Sequence, residues 1–301
     1  MDNALVPTSK MKWLRNRRWV SIFHRVGNVL AVLGIAFVAL RYRQYSGQIN
    51  QLRYNPNLFI YITGLALVSA ASNLLLAMAW RNLLQKFGAT VGRRWALKTY
   101  GISQLAKYVP GNIFHLASRH SIGLAAQVPL WPLTKSTVAE LVLIAAAGAH
   151  FAFLCLPMMF VQVSKYDSAG LFVIAVCFSL FLLARYAGME VLRAFFYQLS
   201  FLTVSGTLFA LVVALISSNW PVVDLPWFSV IAAYVIGWLA GLVTPGAPAG
   251  AGIREMVVLL LFGNLDTGTY LIHAILITRT ITIVGDFLFF FYASLLLSPE
   301  S

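Results

Sequence analysis

Charged and titratable side chains cluster in one otherwise apolar part of the chain, on both sides of a proline–glycine break. Residues 104–120 read QLAKYVPGNIFHLASRH and supply Lys107, His115, Arg119 and His120. Charged groups inside a bilayer are costly, and irregular backbone is tolerated there only beside protein or a water-filled cavity. We therefore interpret this stretch as a re-entrant helical hairpin, broken at Pro110 and Gly111, that lines a polar cavity.

A second proline- and glycine-rich interruption lies near the other end of the chain. The run TPGAPAGAG at 244–252 separates apolar limbs at 228–243 and 253–262. A straight span needs about 20 residues, so limbs this short predict a second hairpin. Its candidate hinge residues are Pro245, Gly246, Gly250 and Gly252. A flexible connector between ordinary spans, or one broken helix, is the alternative.

Side chains from both hairpins and the last span suit an anionic ligand. Asn112, His115 and Arg119 are spaced i, i+3 and i+7 and therefore share one helical face. The planar guanidinium of arginine fits a phosphate or carboxylate, and helix N-termini near Gly111 and Gly252 add unpaired N–H groups. The predicted binding residues are Lys107, Tyr108, Asn112, His115, Arg119, Arg254 and Arg279, and the predicted charge-balancing or proton-coupling residues are Glu140, Glu255 and Asp286.

Each candidate also has a structural interpretation. Buried ion pairs often fix helix packing, and this alternative would pair Arg279 with Asp286 or Arg254 with Glu140. The lysine and tyrosine before the first break are long enough to extend to the membrane interface. The two histidines after that break are more simply hydrogen-bonded packing residues.

The composition of the whole chain is that of a membrane protein. Of its 301 residues, 60% are hydrophobic and only 10% are charged, and several apolar runs are long enough to cross a bilayer. The net charge of +13 comes mostly from short basic loops, a positive-inside pattern that does not require nucleic acid as a partner. Cys155 and Cys177 lie in apolar runs without metal-ligand spacing, so neither a disulfide framework, a metal site nor a cofactor is predicted.

Apolar runs separated by basic loops predict six full spans. The first ends at Leu40, and the others cover about 58–80, 137–163, 170–184, 194–217 and 270–297. The basic loops near 81–98 and 185–193 place the N-terminus, these loops and the C-terminus on the cytoplasmic side of the cell inner membrane. Tryptophans at the predicted boundaries are interpreted as interfacial anchors: Trp80, Trp95, Trp131, Trp220 and Trp227.

The two halves of the chain repeat one order of elements: two spans, a hairpin and a third span. The half-repeats are 1–168, with its hairpin at about 100–130, and 169–301, with its hairpin at about 228–263. Arg119 and Arg254 each lie nine residues after a hinge proline. Such paired breaks point to an inverted-repeat transporter with a site near the midplane. We therefore predict one all-α polytopic transmembrane domain, 1–301, with about six full spans and two re-entrant Pro/Gly-broken hairpins.

Several motifs carry a family resemblance. KYVPG at 107–111, Arg119, the pair Ser136 and Glu140, and PGAPAGAGIRE at 245–255 resemble the lysylphosphatidylglycerol synthase transmembrane-region family, over nearly the whole chain. The resemblance implies an integral membrane module that moves lipids, in aminoacyl-phosphatidylglycerol flipping or lipid-linked sugar pathways. The chain ends directly after the last predicted span, so the soluble aminoacyl-transfer domain of the two-part synthases is not expected.

The predicted function is that of a lipid translocase, or flippase, for a phosphate-bearing lipid such as an aminoacylated phospholipid or a polyprenyl-phosphate-linked sugar. Its partners would be anionic membrane lipids. A membrane-embedded transferase ranks lower, because no acidic-pair metal motif or nucleophile–base arrangement is evident, and the chain is not predicted to be an enzyme. An accessory subunit for an enzyme of lipid-linked glycan or phospholipid modification is the other alternative.

Overall fold

The computed structural model describes residues 58–108, 113–160, 162–217, 227–244, 250–262 and 268–296. Within these ranges the chain is helical and contains no β-strand. A helix pairs its backbone N–H and C=O groups within one segment, which hydrocarbon surroundings require. The predicted first span and five predicted site and hinge residues lie outside these ranges, namely Pro110, Gly111, Asn112, Pro245 and Gly246.

The helices follow one another with short connections. They are α1 (Leu58–Lys86), α2 (Arg93–Gln104), α3 (Phe114–Ala125), α4 (Leu130–Ala149), α5 (Ala152–Met159), α6 (Lys165–Leu182), α7 (Met189–Ser217), α8 (Trp227–Val243), α9 (Ile253–Leu261) and α10 (Gly268–Leu295). A short 3-10 helix, Leu105–Tyr108, continues α2, and a π-helical turn, Leu183–Ala187, continues α6.

Five helical stretches in the described ranges are long and apolar enough to cross a membrane, as in a multi-pass membrane protein. They are Phe59–Lys86, Leu130–Met159, Lys165–Ala187, Met189–Ile216 and Leu271–Leu295. They overlap the second to sixth predicted spans, with shifted ends. The first stretch continues six residues past Trp80, because helical hydrogen bonding does not stop where hydrophobicity does. The next begins before Thr137, with Pro132 in its first turn, where a missing N–H costs no helical hydrogen bond.

The shorter helices include two consecutive pairs, α2 with α3 and α8 with α9. The 12 residues of α3 and the nine of α9 are about 18 Å and 14 Å long at 1.5 Å per residue. The hydrocarbon core of a bilayer is about 30 Å thick, so neither helix crosses it alone. The bounds of α8 and α9 lie within one residue of the predicted limbs of the second hairpin. The re-entrant course of both pairs stays a prediction.

The long helices form the scaffold on which the short ones pack. Helix α1 lies along both α7 and α10, α2 packs against α10 and α1, and α8 packs against α9, α7 and α5. Buried apolar side chains form two large clusters, one containing Phe209 and Phe262 and the other Trp80 and Phe195. Close van der Waals packing is a main source of helix association in lipid, so these clusters fix where the short helices lie.

Glycines bring α8 unusually close to the start of α9. A Cβ atom at Gly237 would lie 2.8 Å from the carbonyl oxygen of Arg254, and one at Gly241 would lie 3.0 Å from Cα of Gly250. The predicted hinge residues Gly250 and Gly252 have φ angles of +69° and +83°, a left-handed conformation that glycine adopts without steric cost. Both the contact and the break before α9 therefore depend on glycine.

Candidate functional site

A cavity of about 110 Å³ lies where both pairs of short helices meet the long ones. At about 30 Å³ per molecule of liquid water, this volume corresponds to about four water molecules. Residues from the predicted site that line it are Lys107, Tyr108, His115, Arg119, Glu140, Arg254, Arg279 and Asp286. A smaller adjoining cavity is lined by Glu255 together with Arg254 and Arg279. Side chains that are far apart in sequence are thus brought to one place.

Two of the deeply buried charges of the cavity are Arg119 on α3 and Glu140 on α4. Nη1 of Arg119 donates to Oε2 of Glu140 at 2.6 Å, and the Tyr100 hydroxyl donates to Oε1 at 2.9 Å. The side-chain amide of Gln198 donates to the backbone carbonyl of Glu140 at 3.0 Å. A buried pair is stable only when such added hydrogen bonds offset its desolvation. These bonds fasten α3, α2 and α7 to α4.

Aromatic rings contact the faces of two of the three cavity arginines, Arg119 and Arg254. The Arg119 guanidinium carbon lies 4.0 Å from the ring centre of Tyr100 and 5.3 Å from that of Trp80. In the pair formed by α8 and α9, the guanidinium carbon of Arg254 lies 5.7 Å from the ring centre of Trp238. Face contacts of this kind leave the in-plane N–H groups for hydrogen bonding. Among the described residues, the buried Nε of Arg119 has no hydrogen-bond partner, so its N–H group is available as a donor.

Asp286 on α10 is the centre of a second polar group. Nζ of Lys107 lies 2.7 Å from Oδ2 of Asp286, and the Tyr108 hydroxyl donates to the same oxygen. The Asn73 amide donates to Oδ1 at 3.1 Å, and the Gln104 amide donates to the Asn73 side-chain oxygen at 3.3 Å. This network ties the 3-10 helix before the first break to α10 and α1.

Glu255 has a structural task in addition to its charge. Its Oε2 accepts the backbone N–H of Gly252 at 2.7 Å, and its Oε1 lies 3.5 Å from Nε of Arg279. A carboxylate that accepts from the N-cap backbone satisfies one of the free donors at a helix start. Glu255 therefore fixes the N-terminus of α9, the helix that carries Arg254.

The charges of the site suit an anion. Four cationic side chains and two carboxylates line the main cavity, and Glu255 in the adjoining cavity is a third carboxylate. The described residues thus place one excess positive charge in a region where an uncompensated charge is costly. Within the residues that the structure describes, no group of three or more His, Cys, Asp or Glu side chains is placed to hold a metal ion. A bound anion would complete the charge balance.

No protein-family model matches this chain, and no curated protein matches it. The chemistry of the cavity and the motifs in the sequence therefore carry the functional interpretation.

The ion pairs differ from those that the sequence suggested. Glu140 pairs with Arg119, and Asp286 pairs with Lys107, whereas the sequence offered Arg254 for Glu140 and Arg279 for Asp286. Residues i and i+7 of one helix are about 10.5 Å apart along its axis. A cation from a neighbouring helix therefore reaches Asp286 more closely than Arg279 does from the same helix.

Several residues of the site were missed or misread in the sequence. Trp80 was predicted as an interfacial anchor, which is wrong, because its side chain is fully buried beside Arg119. The sequence analysis did not nominate Asn73, Tyr100 and Gln104, although an amide side chain within an apolar run is itself a sign of a functional or packing contact.

His120 donates from Nδ1 to the Leu116 carbonyl at 2.9 Å, as expected of a packing histidine. Trp131 and Trp227 are 67% and 50% exposed, in line with an interfacial place.

Proposed function

We propose that this protein is a lipid translocase that moves a phosphate-bearing lipid across the cytoplasmic membrane. One observation carries the proposal: an arginine from each pair of short helices, Arg119 and Arg254, lines one cavity with an excess of positive charge. The motif resemblance to the lysylphosphatidylglycerol synthase transmembrane region supports the same function. An aminoacylated phospholipid and a polyprenyl-phosphate-linked sugar both present the phosphate that these arginines would bind.

The cavity residues would replace the hydration of a phosphate while the lipid tails stay in the bilayer. A charged headgroup cannot cross hydrocarbon cheaply, because its water shell is lost. The guanidinium groups of Arg119 and Arg254 offer planar sets of N–H donors that fit phosphate oxygens. These contacts would lower the free-energy cost of moving the charged headgroup across the hydrocarbon core.

The proposed topology has six full spans, two re-entrant hairpins and an inverted repeat, with both termini in the cytoplasm. The short lengths of α3 and α9 support the hairpins, since neither helix is long enough to cross alone. The basic residues before α2 and around the π-helical turn support a cytoplasmic place for these loops. Residues around Lys165 would then lie on the outer side.

This topology predicts which exposed positions a membrane-impermeant thiol reagent reaches in whole cells. In a background with Cys155→Ala and Cys177→Ala, we expect Tyr166→Cys to be labelled and Arg94→Cys and Tyr186→Cys to be protected. All three positions are exposed on the protein surface, so permeabilised cells should label each variant and serve as the control. Equal labelling of Tyr166→Cys and Arg94→Cys in whole cells would contradict the topology.

Transport is tested in vesicles that contain the purified protein and fluorescently labelled phosphatidylglycerol, with an impermeant quencher that destroys only outer-leaflet fluorescence. We expect Arg119→Ala and Arg254→Ala each to slow exchange between leaflets by about 10- to 150-fold, the equivalent of about 1.5–3 kcal/mol for a hydrogen bond to a charged group.

The matched control is Arg185→Ala, which removes an exposed arginine that lies over the Tyr186 ring, outside the cavity. This variant should exchange the labelled lipid at the wild-type rate. Wild-type exchange in both Arg119→Ala and Arg254→Ala would refute the proposed function.

A further inference from the structure

The three carboxylates of the site differ in what holds them. Glu140 lies against Arg119, whose guanidinium keeps its proton in proteins. Glu255 is committed to the N-terminus of α9. Asp286 instead contacts Lys107, a lysine whose side chain is 22% exposed while that of Asp286 is 6% exposed. Asp286 is therefore the carboxylate paired with a lysine, whose ammonium group sits on a flexible side chain that also lines the cavity.

An anion that binds at Lys107 competes with ionised Asp286. The ammonium group lies 2.7 Å from the carboxylate, so a phosphate at the same ammonium would place two negative groups side by side. Like charges at such a distance oppose each other's ionisation. The other charged or titratable groups that face this pair are Tyr108 on the 3-10 helix, His115 on α3, Arg254 on α9 and Arg279 on α10 itself. Both arginines attract the anion as well, so they do not remove the competition.

We infer that Asp286 is the proton-coupling residue of the transporter, and that a monoanionic phosphodiester lipid and one proton cross the membrane together. This inference rests on the proposed function. On binding, one proton from water bonds to Oδ2 of Asp286, and the Lys107 ammonium, with all three of its protons, moves from the carboxylate to the phosphate. On release, Asp286 gives the proton to water on the other side and Lys107 returns. The site carries the same net charge before and after it takes up lipid and proton.

Coupling of this kind is reciprocal: if the anion favours protonation, protonation favours the anion by the same factor. We therefore expect the full-length protein in detergent to bind phosphatidylglycerol about 5- to 150-fold more tightly at acidic than at neutral pH, the usual range for coupled sites. This lipid is a suitable probe because a phosphodiester lacks the second ionisation, near pH 6, of a phosphomonoester. Any dependence on pH then comes from the protein.

Three variants assign that dependence to one residue. Asp286→Asn keeps the shape of the side chain but cannot ionise, so its affinity should not change with pH. Asp167→Asn makes the same change at an exposed position at the start of α6 and should keep the wild-type dependence. Histidine is the side chain whose ordinary pKa lies in this range, and His115 lines the cavity. His115→Gln should nevertheless keep the dependence, because the inference assigns it to Asp286. The inference would be overturned if the affinity of His115→Gln no longer depended on pH while that of Asp286→Asn still did.

The vesicle assay then separates the inference from the proposed function. With an imposed pH gradient, wild-type protein should move labelled phosphatidylglycerol faster from the acidic side, and Asp286→Asn should move it equally in both directions. Asp286→Glu keeps an ionisable group and should retain the asymmetry if the asparagine variant does not fold. Wild-type transport without response to the gradient, and with affinity independent of pH, overturns the coupling but leaves the translocase. Binding linked to pH without any transport supports the anion–proton linkage and contradicts the translocase.

Discussion

Replacing Arg119 with alanine is expected to lower the free energy of unfolding by about 3–5 kcal/mol, the cost of leaving one partner of a buried ion pair alone. Glu140 is only 5% exposed. Of the two hydrogen bonds that its carboxylate accepts as described above, only the one from the Tyr100 hydroxyl would remain. The two aromatic rings that face Arg119 would lose their cation as well. SDS titration of the purified protein, followed by tryptophan fluorescence, measures this loss.

The double variant Arg119→Met with Glu140→Gln separates stability from transport. It removes both buried charges, while the side-chain oxygen of the introduced glutamine still accepts from the Tyr100 hydroxyl. Replacement of a buried pair by uncharged residues is often neutral for stability. We expect the double variant to unfold near the wild-type midpoint and yet to transport labelled lipid as slowly as Arg119→Ala.

Two outcomes would change this picture. Recovery of transport in the double variant would show that the pair only fixes helix packing, which is the structural alternative that the sequence left open. Arg185→Ala is the reference for the loss of an exposed arginine and should change stability by no more than about 0.5 kcal/mol. A similar loss for Arg185→Ala and Arg119→Ala would mean that burial of Arg119 does not matter.

The second large effect is expected at the glycine contact between α8 and α9. In Gly237→Ala the new Cβ atom would meet the backbone carbonyl oxygen of Arg254 at 2.8 Å, and backbone cannot move aside as a side chain does. Overpacking of this kind costs about 1–3 kcal/mol. Because the contact is with the Arg254 backbone, we also expect that residue to move and lipid transport to fall. SDS titration and the vesicle assay measure the two effects.

Gly170→Ala is the matched control, a helix glycine in α6 where an added Cβ atom meets nothing within 4 Å. Alanine is favoured over glycine inside a helix by roughly 0.5–1 kcal/mol, so this variant should be as stable as the wild type or slightly more stable. A Gly237→Ala protein that is equally stable and active would mean that α9 shifts without cost, and that the close approach to α8 does not position Arg254.

Much of the architecture follows from local properties of the chain. The five membrane-length helices lie where long apolar runs occur, because length and hydrophobicity are sufficient to require a helix in hydrocarbon. The limbs of α8 and α9 were predicted to within one residue, since proline and glycine act on the backbone at the position where they occur. Helix ends in polar sequence were placed less well, as at Lys86, because hydrogen bonding continues a helix beyond its apolar run.

The candidate site was predictable in its members and not in its connections. Arginine, lysine and carboxylate side chains within apolar sequence identify themselves, because each is costly in a bilayer unless it has a partner. Lys107, Arg119, Arg254 and Arg279 could therefore be nominated from the sequence, and all of them line one cavity. The aromatic side chain of Trp80 carries no such cost, so nothing in its local sequence marked it as a neighbour of those charges. The amide of Asn73 within an apolar run was a usable signal that the sequence analysis did not follow.

By itself the sequence determined the helical membrane class, the breaks and the set of charged residues, because each depends on a few consecutive side chains. Only the tertiary structure decided which carboxylate holds which cation: Arg119 with Glu140, and Lys107 with Asp286. It also placed Trp80 beneath a guanidinium. Electrostatic attraction and packing act between helices, and their partners are fixed by which helix faces meet, a property that no short stretch of sequence contains.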